Sequence, residues 1–242
     1  MRLKGRVGIV TGAGRGLGKE IATHLAAEGM DLMLLARTGT QVRALAEELS
    51  SAYGVQAFPA AIDITDSAAI DRVVLHAEQH LGTVDLLVNN AATIESQVVP
   101  FWEADMADLW RVVETNLHGP MLMTRVLLPA MVQRGHGRVI NVTSRARAAT
   151  RSGTYTGYAV SKRALTLLTE SLAGPLEGTG VTVLDVLPGL VKTDLTLSMP
   201  VWDDVTAWDD PGATGRVVTD AALGAYDAMH GTVLDAPALD GA

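Results

Sequence analysis

The amino-acid sequence predicts an α/β protein in which a doubly wound sheet of about seven mainly parallel strands is flanked by helices. Short apolar runs alternate with longer amphipathic stretches from one end of the chain to the other. This alternation is typical of strand–helix–strand crossovers. A glycine-rich turn, Thr11–Gly18, joins the first apolar run to the first helical stretch. The 242 residues contain no linker or repeat, so we predict a single domain over residues 1–242.

The strands are predicted where apolar residues run continuously, because a parallel strand is buried on both faces. These runs are Val7–Thr11, Asp31–Ala36, Val55–Ala61, Val84–Asn89, Arg138–Thr143, Val181–Leu187 and Thr232–Leu234. Between them, apolar residues recur at helical spacing. In Gln41–Ala52, for example, Val42, Leu45 and Leu49 fall on one face of a helix.

The segment from Leu190 to Gly215 breaks the alternation. It contains prolines, tryptophans and acids, which are Pro200, Pro211, Trp202, Trp208, Asp203, Asp204, Asp209 and Asp210. A long irregular insert after a strand is often a lid over a binding site. We therefore predict a substrate lid at residues 190–215, with a solvated surface loop as the alternative.

The composition argues against several classes of function. A formal net charge of −8 at pH 7 disfavours binding to nucleic acid or to an anionic membrane. The absence of cysteine excludes disulfides, thiolate metal sites and thiol catalysis. No apolar run approaches the ~20 residues of a membrane span, and the run after Arg6 is too short for a signal peptide. These features predict a cytoplasmic protein.

The glycine-rich turn has the context of a dinucleotide-binding site, since it follows a predicted strand and opens a predicted helix. Glycines permit a tight turn, and the free N–H groups of a helix N-terminus bind a pyrophosphate. The spacing, Gly12-x-x-x-Gly16-x-Gly18, differs from the common G-x-G-x-x-G because Leu17 and Lys19 occupy positions that the latter pattern assigns to glycine.

Two arginines favour NADP(H) over NAD(H). Ala36 and Arg37 stand at the end of the second strand, where an acidic residue would bind the ribose 2′-hydroxyl of NAD. Arg15 lies inside the glycine turn. Two guanidinium groups at this place suit a 2′-phosphate, which they can bind through paired hydrogen bonds.

Tyr158 and Lys162 stand four residues apart, a spacing that places both side chains on one face of a helix. A free tyrosine has a pKa of about 10 and exchanges protons poorly at neutral pH. A nearby ammonium favours the phenolate and lowers this pKa towards the working range. Together with Ser144 and the glycine turn, the pair predicts acid/base catalysis beside a bound dinucleotide.

These motifs resemble those of the classical short-chain dehydrogenases/reductases over nearly the whole chain. Besides the turn and the Tyr158–Lys162 pair, the matching features are Asp63 after the third strand, Asn89-Asn90-Ala91, Asn116, Ser144, Pro188-Gly189 and Thr193. One departure is Ala92, where the family usually has glycine. The resemblance implies a Rossmann-type fold and catalysis by Asn116, Ser144, Tyr158 and Lys162. With the two arginines, the cofactor-binding residues would be Gly12, Arg15, Gly16, Leu17, Gly18, Arg37, Asp63, Ile64, Asn90, Ala91, Tyr158, Lys162, Pro188, Gly189, Val191 and Thr193.

The resemblance also implies a role for each catalytic residue. Tyr158 would exchange the proton of the substrate oxygen, and Ser144 would stabilise the developing alkoxide. Lys162 would shift the pKa of the tyrosine and bind the nicotinamide ribose. Asn116 would hold a helix kink and a water that relays protons to Lys162, and Thr193 would anchor the carboxamide.

The resulting prediction is an NADP(H)-dependent carbonyl reductase or alcohol dehydrogenase that acts on a small or medium ketone. The alternatives are an NAD-linked alcohol dehydrogenase and a catalytically silent NADPH-binding regulatory protein. The resemblance further implies a homodimer or homotetramer that pairs through the helices containing Asn116 and Tyr158. An apolar content of 48% is consistent with such an interface.

Two weaker patterns remain. His76 and His80 have a spacing that can bind a metal, but no third ligand is evident, so we predict surface histidines and no metal site. Arg145, Arg147 and Arg151 follow Ser144. They could bind an anionic group of the substrate, pair with the acids of residues 190–215, or face solvent.

Overall fold

The computed structural model describes residues 1–144 and 154–240 of the chain. Within these residues the strands form one parallel, seven-stranded sheet in the order β3-β2-β1-β4-β5-β6-β7. The strands are β1 Val7–Thr11, β2 Asp31–Ala36, β3 Ala57–Ala61, β4 Val84–Asn89, β5 Gly137–Val142, β6 Val181–Leu187 and β7 Val233–Asp235. The predicted fold class is confirmed. The strand order reverses between β1 and β4, and ligands bind at the carboxyl ends of strands at such a point.

Helices connect the strands in the described part of the chain. They are α1 Gly16–Ala27, α2 Gly39–Tyr53, α3 Ser67–His80, α4 Met106–Val113, α5 Gly119–Arg134, α6 Thr156–Leu176, α7 Asp194–Leu197, α8 Pro211–Ala222 and α9 Ala236–Leu239. A π-helical turn, Glu114–His118, joins α4 to α5. None of these helices has both the length and the apolar character needed to span a bilayer.

The sheet separates two hydrophobic layers. On one face, helices α1, α2 and α8 pack through side chains that include Ile21, Leu45 and Val217. On the other face, α3, α5 and α6 contribute Ile70, Leu127 and other buried residues. Burying one such side chain stabilises the fold by roughly 1.5–3 kcal/mol. The continuous apolar runs of the strands are thus accounted for, since both faces of the sheet are covered.

Four strands, β1, β2, β4 and β6, have the predicted bounds, whereas β3 begins at Ala57 rather than Val55. Gly54 ends α2 in a left-handed conformation with φ of 69°. The N–H of Gln56 then donates to the carboxylate of Asp31 over 2.7 Å instead of to a strand. Val55 and Gln56 therefore precede the strand. β5 lies one residue earlier than predicted, and β7 one residue later.

The irregular segment after β6 is shorter than predicted. Residues 211–215 belong to α8, which packs closely against α1. The side chain of Asp210 caps α8 by accepting from the N–H of Gly212 over 2.9 Å. A parallel bridge between Val191 and Asp209 closes the base of the remaining loop. The part of the chain that could cover a site is therefore residues 190–210.

The carboxyl ends of the central strands are tied together by Thr11 at the end of β1. Its hydroxyl accepts from the N–H groups of Asn90 and Ala91 over 3.0 and 3.1 Å, and donates to the carbonyl of Val88 over 3.3 Å. These contacts join the glycine turn to the loop after β4. Thr11 therefore fixes the position of the loop after β4 relative to the glycine turn, at the edge of the sheet where a cleft opens.

Candidate active site

A cavity of about 800 Å³ lies at the carboxyl edge of the sheet. It extends from the glycine turn after β1 to Tyr158 and Lys162 on α6. The predicted site residues that line it are Gly12, Arg15, Gly16, Leu17, Gly18, Arg37, Asp63, Ile64, Asn90, Ala91, Ser144, Tyr158, Lys162, Pro188, Gly189, Val191 and Thr193. The structure thus brings these residues together around one cavity, whereas Asn116 is not among the residues that line it.

Two glycines of the glycine turn are packed too closely against other atoms to carry a side chain. Gly12 has φ of +66°, and a Cβ atom there would lie 2.8 Å from the Cα of Ala91. A Cβ on Gly18 would lie 2.2 Å from the carbonyl oxygen of Gly12. Helix α1 begins here with no acidic residue in its first turn and no described side chain capping it. Gly16, Leu17 and Gly18 of its first turn line the cavity, which fits a bound dinucleotide at these N–H groups.

The two arginines at this end of the cavity differ in their surroundings. Arg15 forms an ion pair with Asp194, the first residue of α7. Arg37 is exposed and forms no ion pair with any residue that the structure describes. Both side chains line the cavity. Of these two arginines, Arg37 is thus the one that is available to an anionic group of a ligand.

Tyr158 occupies the first turn of α6, and its hydroxyl forms a hydrogen bond with Ser144. Burial raises the pKa of Tyr158 above its ordinary value, and the bond to Ser144 opposes that rise. The sequence predicted instead that Lys162 would lower this pKa. That expectation does not hold in this structure, because desolvation of the phenolate outweighs the favourable contacts. The tyrosine is therefore in its protonated, donor form at neutral pH.

Lys162 lies one turn further along α6 and is only 3% exposed. Its ammonium donates to the carbonyl of Val142, at the end of β5, over 2.7 Å. Burial lowers the pKa of Lys162 to about 8, while the charge of Asp185 acts in the opposite direction. The lysine therefore changes its charge close to the physiological range of pH.

Asn116 lies in the π-helical turn, is fully buried and is not among the residues that line the cavity. Its Oδ1 accepts from the N–H of Thr93 over 2.8 Å, and its Nδ2 donates to the carbonyl of Thr93 over 2.9 Å and to the hydroxyl of Ser161 over 3.1 Å. Asn116 thus connects the loop after β4 to α6. Turns of this kind frequently occur at functional sites.

Thr193 lines the cavity but is also the N-cap of α7. Its hydroxyl accepts from the N–H of Thr196 over 3.2 Å, and its own N–H donates to the hydroxyl of Thr196 over 2.9 Å. Met199, in the same segment, is buried against Tyr155. Met199 therefore packs the loop of residues 190–210 against the N-terminal end of α6.

Glu95 is a site residue that the sequence analysis missed. Helix α6 has no side-chain cap from its own N-cap residue. Instead, the Oε1 atom of Glu95 accepts from the N–H of Gly157 over 2.5 Å and from the N–H of Tyr158 over 3.3 Å. A Cβ on Gly157 would lie 3.0 Å from this oxygen and 3.1 Å from the carbonyl of Leu109. Glycine at 157 therefore permits the approach of Glu95, which holds the N-terminus of α6.

We expect Glu95→Ala to lower the free energy of unfolding by about 1–2 kcal/mol, as for the loss of a helix cap, and to reduce kcat by misplacing Tyr158. Glu95→Gln retains an acceptor oxygen and should keep most of both. Thermal unfolding and kcat of the two variants check this prediction. Equal losses in both variants would show that the charge, rather than the acceptor, holds the helix.

His76 and His80 do not line the cavity. The rings of His76 and His80 stack with centroids 4.1 Å apart and both contact Phe58. No group of three or more potential metal ligands occurs among the described residues. Arg145, Arg147 and Arg151 lie outside those residues.

Comparison with known proteins places this geometry in context. The sequence model of a family described as short chain dehydrogenase matches residues 6–203. A short chain dehydrogenase of Pseudocercospora fijiensis is 37% identical over 194 residues, which are 80% of this chain and 62% of that protein. The chain thus spans less than two thirds of that relative.

Two further similarities cover more of the matched proteins. The 3-oxoacyl-[acyl-carrier-protein] reductase FabG of Aquifex aeolicus is 31% identical over 196 residues, 81% of this chain and 78% of its own length. A solved structure of 7 alpha-hydroxysteroid dehydrogenase, complexed with NADH and 7-oxo glycochenodeoxycholic acid, superposes with a TM-score of 0.86 at 29% identity. That similarity covers 97% of this chain and 93% of the other.

Proposed function

The chain belongs to the short chain dehydrogenase family, whose oxidoreductases use a nicotinamide cofactor, and we propose that it is an NADP(H)-dependent carbonyl reductase. Its substrates would be small or medium ketones and the corresponding secondary alcohols. The proposal rests on one observation. The hydrogen-bonded pair Ser144–Tyr158 and the buried Lys162 line the same cavity as the glycine turn. The cofactor, when bound, would supply or accept the hydride.

The side chains then have distinct tasks in ketone reduction. Tyr158 donates its phenolic proton to the substrate oxygen, a role that its raised pKa favours because the phenol is protonated at pH 7. Ser144 donates a hydrogen bond to the oxygen as negative charge develops there. Lys162, as an ammonium, stabilises the phenolate that Tyr158 leaves behind. Asn116 and Glu95 both bond to α6, the helix that carries Tyr158 and Lys162.

The proposed preference for NADP(H) rests on Arg37. It is exposed at the cavity edge after β2, where an acid would favour NAD(H), and it has no competing carboxylate among the described residues. Arg15 favours NADP(H) less, because Asp194 already neutralises it. That ion pair is the observation that keeps an NAD-linked alcohol dehydrogenase as the alternative.

We expect Arg37→Asp to weaken NADPH binding roughly tenfold or more, because it removes a charge-assisted hydrogen bond to the 2′-phosphate. NADH binding should be maintained or improved, since the carboxylate can accept from the ribose hydroxyls. Dissociation constants from nicotinamide fluorescence titrations give this ratio. Arg43→Asp is the matched control, because Arg43 is an exposed arginine of α2 that does not line the cavity. A ratio unaltered by Arg37→Asp would support the NAD-linked alternative.

We also propose that residues 190–210 form the substrate lid and that the protein is a cytoplasmic homodimer or homotetramer. Support for the lid comes from Met199, which is buried against Tyr155 beside the catalytic helix. Support for assembly comes from exposed apolar side chains on α5 and α6, which include Met121, Val160 and Leu167. A monomeric mass by light scattering at micromolar concentration would argue against the assembly.

The reaction class is tested by following the nicotinamide absorbance while a panel of ketones with NADPH, and of alcohols with NADP⁺, is screened. Turnover of ketones with NADPH is the expected result. If no carbonyl or alcohol substrate changes the absorbance while the cofactor binds, the chain would be a binding protein instead. The same panel with NADH and NAD⁺ separates the NAD-linked alternative.

A further inference from the structure

Asp185 is a buried acid in the middle of β6 that the proposed chemistry does not use. Asp185 is fully buried. Its Oδ1 accepts from the hydroxyl of Thr169 on α6 over 2.5 Å. Its Oδ2 is buried without a hydrogen-bond partner in the described part of the chain. Burial of an unpaired carboxylate raises the free energy of the folded state, and a nearby positive charge reduces this cost.

A chain of hydrogen bonds leads to this carboxyl group from the centre of the sheet. The amide of Asn89 on β4 donates to Oδ1 of Asn141 over 2.9 Å. The amide of Asn141 on β5 donates to the hydroxyl of Thr169 over 2.8 Å, and Thr169 donates to Asp185. Every donor in the series points towards Asp185. Such a series is polarised in one direction and stabilises the anion at its end.

The carboxyl group of Asp185 also lies near Lys162 in the fold. In the sheet register Asn141 pairs with Asp185, and the next residue of β5 is Val142, whose carbonyl binds the Lys162 ammonium. Lys162 and Thr169 lie two turns apart on the same face of α6. Thr166 lies between them, and its hydroxyl donates to the carbonyl of Lys162 over 3.4 Å. Helix α6 therefore carries the lysine on the same face as Thr169, whose hydroxyl binds the acid of β6.

The charges around the pair are few. In the described residues, Lys162 is the charged group that acts on Asp185, and Asp185 is the charged group that acts on Lys162. Two other titratable groups lie nearby. Tyr158 is one turn before Lys162 on α6. Asp235 is on the adjacent strand β7, two residues after Val233, which pairs with Asp185 in the sheet. The side chains of Asn141, Thr166 and Thr169 are neutral.

We propose that Asp185 is a positioning residue of the active site, the buried counter-charge that keeps the Lys162 side chain an ammonium while Tyr158 transfers its proton. The assignment of a catalytic role to that ammonium rests on the proposed function, whereas the pairing of the two charges does not. Asp185 itself touches neither the cavity nor a reacting atom. It acts only through Lys162.

The directions of the pKa shifts agree with this pairing. Burial lowers the pKa of Lys162 to about 8, and Asp185 opposes that fall. Burial raises the pKa of Asp185 to about 6, and the hydrogen bond from Thr169 and the charge of Lys162 oppose that rise. Both groups are ionised between these two values. Removal of the carboxylate lets the pKa of Lys162 fall further, so the ammonium is lost at lower pH.

The test is Asp185→Asn, which keeps the shape of the side chain and removes its charge. We expect the pKa of Lys162 to fall by about one unit or more, as for the loss of a nearby opposite charge. Carbon-13 NMR of the lysine Cε signals in the protein without cofactor reports this pKa directly, and Lys4, Lys19 and Lys192 serve as internal references. In turnover assays the alkaline limb of the kcat–pH profile should move down by the same interval.

Asp227→Asn is the matched control, because Asp227 is an exposed acid that pairs with Arg138 and does not act on Lys162. It should leave the Lys162 signal unchanged. A folded Asp185→Asn protein in which Lys162 titrates as in the wild type would overturn the proposal, even if no substrate had been found. A shift in the NMR titration without any turnover would instead contradict only the proposed function.

Should Asp185→Asn not fold, Thr169→Val decides the question. This variant keeps the carboxyl group but removes its closest donor, so the pKa of Asp185 should rise above about 6. The Cε signal of Lys162 senses the ionisation of a paired carboxylate, and its acidic titration step should move to higher pH. A Lys162 signal with no such step would show that the two groups are not coupled.

Discussion

Replacement of Tyr158 with phenylalanine should reduce kcat by about 100- to 10,000-fold, the range that a positioned general acid contributes. The variant loses only the hydroxyl that bonds to Ser144. The phenyl ring keeps its place on α6 and its packing against the cluster that Tyr155 and Met199 form. Binding of NADPH should therefore persist. The measurements are kcat with the best ketone of the screen and the dissociation constant of NADPH.

Tyr155→Phe offers the matched control three residues away on the same helix end. Tyr155 is fully buried, and its hydroxyl has no hydrogen-bond partner among the described residues. Removal of an unpaired buried hydroxyl costs little and can stabilise a protein. Turnover and thermal stability should therefore stay close to those of the wild type. If Tyr158→Phe retained most of its turnover under these conditions, another group would have to donate the proton.

The fold could be predicted from the sequence because its signals are local. Each strand is an apolar run whose length matches one crossing of the sheet, and both faces are covered, so the pattern is continuous. Errors occur at the ends of strands, where a side-chain contact decides the boundary. The bond from Gln56 to Asp31, 25 residues apart, delays β3 and leaves no mark in the local sequence.

Some residues of the candidate site can likewise be predicted from the sequence, whereas others cannot. The glycine turn and the Tyr158–Lys162 pair have fixed spacings, so the sequence identifies them. Glu95 and Asp185 have no such signature, because each acts on a segment that only the folded chain brings near. Glu95 caps a helix at Gly157, 62 residues further on. Asp185 reaches Thr169 across the boundary between a strand and a helix.

The pKa of Tyr158 shows a further limit of sequence-based reasoning. Spacing alone places an ammonium near the phenol and predicts a lowered pKa. It does not reveal that Lys162 directs its ammonium to the carbonyl of Val142, or that the phenol is desolvated. The balance between desolvation and charge depends on burial, which is a property of the folded molecule.

Gly18→Ala should have the largest effect on stability and cofactor binding together. The added Cβ would lie 2.2 Å from the carbonyl oxygen of Gly12 and 2.5 Å from Nδ2 of Asn90. Because the first of these atoms is backbone, the turn and helix α1 must separate. We expect a loss of about 3 kcal/mol, at the upper end for an overpacked position, and a Tm lower by roughly 6–12 °C.

The same separation displaces the N–H groups of α1 from the pyrophosphate position, so the affinity for NADPH should fall by more than about tenfold. Gly174→Ala is the matched control. Gly174 lies near the end of α6, where a Cβ would meet no atom within 4 Å. Alanine there should raise stability by about 0.5–1 kcal/mol and leave cofactor binding unchanged. Thermal unfolding and fluorescence titration of both variants measure these effects. A Gly18→Ala protein with wild-type Tm and affinity would mean that α1 does not pack against the turn as the structure describes.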